Sequence, residues 1–153
     1  AFAAALRAPD HAKLIPFRFV VLRGDGLERP AELFVGYGRR CGKPDDELAL
    51  ERRRAVQAPV VIAVVARINT MHAVPAHEQW MAVGGAVTNA LNALHFMGFG
   101  AKMLSGRRTG DPQIAAAFCR ADEQLVGWIS VGTSKAPLHG RSRDEVDRVF
   151  SVF

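Results

Sequence analysis

The octapeptide PVVIAVVA at 59–66 narrows the choice of fold more than any other stretch of this chain. It has no polar side chain on either of its alternating faces, so as a strand it must be central and covered on both sides. FRFVVLR at 17–23 and QLVGWISVG at 124–132 read as further core strands, and FGAKMLSG at 99–106 as a short one leaving through a glycine. Helical signals lie between them. Residues 1–7 read as the end of a helix closed by the Ala8-Pro9 step, because the residue before proline is pushed out of the α region. GDG at 24–26 reads as a turn, and Leu27 to about Gly38 as a helix that tolerates Pro30 in its first turn. Pro44-Asp45-Asp46-Glu47 places acid at the positive end of a helix running to Gln57, and DPQIAAAFC begins a short helix at Asp111. The remainder is a tail with a helical turn or two near Asp144–Phe150. Strands and helices alternate, so the class is α/β or α+β with helices covering a sheet.

The longest helical signal runs from His77 to about Met97. Apolar positions cover most of its circumference, which predicts a helix buried almost entirely. Glu78, Asn89, Asn92 and His95 argue against a membrane span. Gly84-Gly85 lowers helix propensity, and the pair reads as a place where a second helix backbone comes close, hence a dimer.

A chain of 153 residues without linker or repeat is read as one domain over 1–153. The net charge of +5 leaves room for a nucleic acid or an anionic ligand. Sixteen of the twenty basic residues are Arg, scattered without interleaved aromatics, which favours a solvated surface over an RNA-binding face. Cys41 and Cys119 have no CxxC spacing and read as free thiols of a reducing compartment, so a cytoplasmic location is expected. AFAAAL lacks the basic start of a signal peptide, and it opens as if inside a helix, so residues are expected before Ala1.

The chemistry concentrates in RAPDHAKLIPFRFVVLRGDG, Arg7 to Gly26, where Arg, Asp, His and Lys crowd before a core strand. A metal reading centres on His72, His77 and Glu78, but Pro75 breaks any helix that would put both rings on one face. Neither cysteine has a nucleophile signature, and GFGAKM lacks the ending of a phosphate-binding P-loop. A flavin suits the loop better. Its phosphate needs cations, its ribityl chain and pyrimidine edge need polar groups, and its ring needs an apolar wall. Arg7, Asp10, His11 and Lys13 supply the former on a loop stiffened by Pro9, and Ile15, Pro16 and Phe17 the latter.

This segment resembles the RAPDH-x-x-L-x-P-W-x-F-x-V stretch of the small bacterial FMN-dependent NAD(P)H nitroreductases. The likeness continues in order through APVVIAVVA, VPAHEQWMAVGGAVTNALNALHFMGFGA, KMLSG and LVGWISVGTSKA, nearly the whole chain. It implies an α+β sandwich, a mixed and mostly antiparallel sheet flanked by helices, assembled as an intertwined homodimer with FMN at the interface. The implied reaction is ping-pong: NAD(P)H gives a hydride to flavin N5, and a nitroaromatic or quinone-like acceptor then takes the electrons. No side chain is implied as catalytic, since the chemistry belongs to the cofactor. By motif position, Arg7, Pro9, Asp10, His11 and Lys13 would line FMN from one subunit, with Pro16 and Phe17 near the ring or the dimer seam. Met103, Leu104 and Ser105 match the loop whose backbone amides approach flavin N5 and O4.

Three departures stand out. The family's N-terminal Arg-Arg-Ser segment, which grips the FMN phosphate, has no counterpart in these residues. Phe17 stands where Trp is common, and Met103 and Leu104 where Trp and Arg or Leu are common, with Lys102 and Arg141 as compensating cations. These departures frame the alternative, a flavin-binding relative with little reductase turnover. ALNALHFMG at 90–98 matches a stretch sometimes proposed to contact the nicotinamide nucleotide, but it reads better as core.

Overall fold

A computed structural model of the chain describes residues 1–133 and 149–152. The expected helical turn near Asp144–Phe150 and the cation Arg141 fall largely or wholly outside the described residues.

Four strands form one sheet: β1 (Phe17–Arg23), β2 (Val60–Ala66), β3 (Gly100–Leu104) and β4 (Gln124–Gly132), in the order β1-β2-β4-β3. Every pairing among the described residues is antiparallel, so the parallel component expected of a mixed sheet is not among them. β2 is central, as its uniformly apolar sequence requires, and its residues from Val61 to Ala66 are all buried. Ile62, Val64 and Ala66 face one side, and Val61, Ala63 and Val65 the other.

The first face packs on α1 (Phe2–Ala5) and α4 (Ala76–Phe96) through Ala5, Val83, Ala86, Ala90 and Leu94. On the second face lie α2 (Glu28–Arg40) and α5 (Pro112–Phe118), with Ile114, Phe118 and Trp128 at the centre of a second core, and α3 (Asp45–Ala55) packs against α2. The result is a helix–sheet–helix sandwich. Asp111 starts α5 by accepting hydrogen bonds from the backbone of Gln113 and Ile114, while Arg40 at the end of α2 reaches its Oδ2 at 2.8 Å. These bonds, led by the one from Arg40, hold the Asp111 carboxyl below its ordinary range. Arg18 of β1 grips Glu123 through Nε at 2.7 Å and Nη2 at 2.5 Å, and it also donates to the carbonyl of Phe118. That fork ties the edge strand to the α5–β4 turn.

The near-complete burial expected of α4 is not found in the single chain. His77, Trp80, Met81, Gly84, Thr88, Asn92 and Phe96 form one exposed stripe along it, with Met81 72% and Phe96 87% accessible. The sheet covers only one side of a helix, and among the described residues the apolar side chains on the far side are left exposed. Over Ala90 to Gly98, Ala90 and Leu94 are core as expected, but His95, Phe96 and Met97 are exposed. The glycine pair divides its labour. A Cβ on Gly85 would meet Ala8 Cβ at 3.2 Å and Pro9 Cδ at 3.7 Å, whereas one on Gly84 would meet nothing within 4 Å. Gly85 therefore admits the chain's own Ala8-Pro9 step, and only Gly84 faces outward.

Candidate functional site

The RAPDH loop leaves α1, crosses Gly85 and enters β1. It makes a tight, non-helical turn at His11–Lys13, and Ala12, Lys13 and Ile15 all have positive φ, at 61°, 54° and 47°. A β-branched residue in that region is an outlier, and each such residue costs about 1–3 kcal/mol, so the surroundings must impose the conformation. Asp10 does so locally, accepting the backbone N–H of Ile15 at 2.7 Å through Oδ2. His11 Nδ1 lies 2.7 Å from Oε2 of Glu78 in the first turn of α4.

The loop encloses an open cleft of about 480 Å³ lined by Leu6, Arg7, Ala8, Asp10, Lys13, Ile15 and Phe17. Among the described residues Arg7 and Lys13 make no ion pair, so the cleft offers two uncommitted cations beside an apolar wall. Of the residues expected at the site, Arg7, Asp10, Lys13 and Phe17 are brought together here. Pro9 instead rests against Gly85, His11 turns to Glu78, and Pro16 is buried, its carbonyl accepting from Arg67 N–H at 2.9 Å.

Met103, Leu104 and Ser105 lie at the other edge of the sheet. Met103 packs into the core on the α4 face, while Leu104 and Ser105 line a second cavity of about 240 Å³. Its other walls include Phe34, Glu51, Arg54, Arg108, Trp128 and Ser130. Ser105 Oγ donates to the Val126 carbonyl at 2.8 Å, which fixes the exit from β3. Burial pushes the Glu51 carboxyl up, but hydrogen bonds from Lys43 and Arg108, each at 2.9 Å, outweigh it and hold the group below its ordinary range. Arg108 also sits 4.8 Å above the Phe34 ring. The Trp128 Nε1–H is buried without a hydrogen-bond partner among the described residues. The sequence reading missed Arg54, Arg108 and Glu51, since two arginines in an Arg-rich chain and one glutamate in a polar helix carry no local signal of convergence.

Gln79 was missed for a similar reason. Its buried amide donates to the Asn69 and Val74 carbonyls at 2.9 Å each and accepts from Asn69 N–H at 2.8 Å, clamping the loop that leads into α4. Among the described residues no helix is long and apolar enough to cross a membrane.

The sequence pattern of the Nitroreductase family matches residues 1–133. The chain is 36% identical over 131 residues to "Putative NAD(P)H nitroreductase YdjA" of Escherichia coli (strain K12), covering 85% of this chain and 72% of that protein. Among solved structures, the fold is similar to a nitroreductase-like family protein from Bacillus cereus, with a TM-score of 0.80, 18% identity, and coverage of 99% of this chain and 81% of that one. It is also similar to a mutant of the FMN and NADPH-dependent nitroreductase NfnB from Sphigopyxis sp. strain HMH, with a TM-score of 0.74, 16% identity, and coverage of 99% and 85%. A sheet of this topology, a loop of this sequence before its first strand, and a family pattern running through every described strand agree: the chain belongs to the nitroreductase family.

Proposed function

We propose that the protein is an FMN-dependent oxidoreductase that takes a hydride from NAD(P)H and passes electrons to a nitroaromatic or quinone-like acceptor in a ping-pong cycle. The observation that carries this reading is the pairing of the RAPDH loop with the Leu104–Ser105 exit, each beside a cavity that the flavin's parts would suit. Arg7 and Lys13 meet the charge requirement of a phosphate, and Ile15 and Phe17 that of an apolar ring or chain. At the other cavity, Arg54, Arg108, Ser130 and the Trp128 N–H, which has no partner among the described residues, supply donors near Leu104 and Ser105. The residues fit the cofactor, which when bound supplies the hydride-accepting centre.

The two segments sit at opposite edges of a four-stranded sheet. Three inter-strand steps separate those edges, roughly 14 Å, and the two cavities open on opposite faces. One ring touched by both segments would therefore draw them from two chains. The exposed stripe of α4, with Trp80, Met81, Phe96 and the outward Gly84, supports a homodimer in which each flavin lies between protomers. In this reading Arg7, Asp10 and Lys13 of one protomer bind and orient the cofactor, and the Leu104–Ser105 backbone of its partner approaches the reacting edge of the ring. Two free cysteines support a cytoplasmic protein.

The test is a visible absorbance spectrum of the purified full chain, followed by anaerobic NADPH. Flavin bands that bleach on addition are the expected result. A colourless protein that takes up no added FMN would sink the reading. Flavin that is bound but never turns over with a quinone acceptor would favour the alternative of a binding protein.

A further inference from the structure

Among the described residues two side-chain bonds hold the strained turn at Asp10–Ile15, and one of them leaves the loop: His11 to Glu78. A carboxylate has lone pairs alone to offer, so the His11 nitrogen facing it carries the proton. With Nδ1–H facing Glu78 Oε2 at 2.7 Å, Nε2 is the free nitrogen of the ring, and it has no hydrogen bond among the described residues. A second observation gives the bond its consequence. Glu78 sits in the first turn of α4, one residue before the buried Gln79 that clamps the preceding loop, so the carboxylate is anchored to a rigid part of the molecule. Ala12 and Lys13, directly after His11, have positive φ and take their positions from whatever holds His11.

We propose that Glu78 is a positioning residue for the flavin: it selects the Nδ1–H tautomer of His11, so that the loop presents an acceptor at Nε2, and it pins the turn that sets Lys13. The proposal rests on the flavin reading of the Arg7–Phe17 loop and deepens it. The ligand group matched to Nε2 is a hydrogen-bond donor, such as a ribityl hydroxyl or the imide N–H of the ring. The opposite tautomer would present a donor there and repel that group. Both side chains are partly exposed, so the pair adds little to global stability, and its removal acts on the site.

The test uses the full chain labelled with ¹⁵N-histidine and titrated with FMN, comparing wild type, Glu78→Gln, Glu78→Ala, His11→Ala and the Glu78→Ala/His11→Ala pair. A Gln side chain accepts from Nδ1–H through its oxygen but can also donate to a bare Nδ1 through its amide, so Glu78→Gln keeps the contact without enforcing the tautomer, and its FMN affinity falls between wild type and Glu78→Ala. Glu78→Ala moves the shifts toward the Nε2–H form and weakens FMN binding about tenfold, the effect of one lost hydrogen bond. His11→Ala loses as much, and the pair loses no more than either alone. The proposal is overturned if wild type binds FMN and Glu78→Ala matches it in both nitrogen shifts and affinity. A wild type that binds no FMN overturns the flavin reading, and the nitrogen shifts still decide whether Glu78 sets the tautomer.

Discussion

Replacing Gly127 with alanine tests how tightly the sheet controls the exit from β3. Gly127 has φ 156° and pairs with Val64 at the register shift between Val64 and Val65. A Cβ there would stand 2.3 Å from the Leu104 carbonyl oxygen, 2.8 Å from Met103 Cε and 3.2 Å from the Leu104 carbonyl carbon. The Met103 methyl is the end of a flexible side chain and can swing aside. The carbonyl belongs to a strand paired with β4, so relief to an ordinary contact demands a backbone shift of about 1 Å. Overpacking of this kind costs about 1–3 kcal/mol, and a positive φ without glycine adds about 1 kcal/mol, giving roughly 2–4 kcal/mol in all. For a chain of this size that lowers Tm by about 5–15 °C. The displaced peptide leads directly into Leu104–Ser105, so FMN affinity should fall at least about tenfold in the same preparation. Thermal melts followed by circular dichroism, with FMN fluorescence quenching alongside, read both quantities. Adding Met103→Ala should rescue neither, because the obstruction is the carbonyl. A Gly127→Ala variant that melts within about 2 °C of wild type and binds FMN equally well would refute the reasoning.

Acid stability follows from Glu123, whose carboxyl is lowered from 4.5 to about 2, chiefly by its hydrogen bonds from Arg18 and against the upward pull of burial. A depressed carboxyl stabilises above its unfolded pKa and loses that contribution as pH falls through the folded one, here between about 4.5 and 2. After allowance for solvent screening at the partly exposed Arg18, Glu123→Gln should lose about 1–3 kcal/mol at pH 7 and flatten the acid limb of urea midpoints between pH 7 and 3. Equal slopes in the two proteins would contradict this. The glycine pair in α4 should respond in opposite ways. Gly84→Ala meets open space and gains helix propensity of up to about 1 kcal/mol, yet weakens self-association in sedimentation velocity. Gly85→Ala presses on Ala8 and Pro9 and weakens FMN binding instead. Identical behaviour of the two variants would undo the division of labour assigned to them.

The strands were legible because their signal is local. PVVIAVVA, FRFVVLR and QLVGWISVG each state their own burial, and each lies within a residue of the observed strand. The helices were legible to within a few residues for the same reason, through Pro44 and Asp111 at their starts. What escaped was convergence across the chain. Nothing near Arg18 announces Glu123, more than a hundred positions later, and nothing near Arg108 announces Glu51 or Phe34. The positive φ values at Ala12, Lys13 and Ile15 also contradict local preference, since alanine and isoleucine favour other regions. Tertiary ties impose them, so a sequence window cannot reveal them. For α4 the composition spoke of burial, and the described residues of a single chain cover one side of it.

The placement of the loop and the β3 exit on opposite margins of the sheet has a genetic meaning. If each active centre borrows its loop from the neighbouring chain, a lesion at Arg7 or Lys13 silences the neighbour's centre and spares the one beside the lesion's own Leu104. In a cell carrying both alleles, mixed pairs would then keep one working centre of two. A loop lesion and a Gly127 lesion would likewise complement each other, because in the hybrid pair both defects fall on the same centre and leave the other whole.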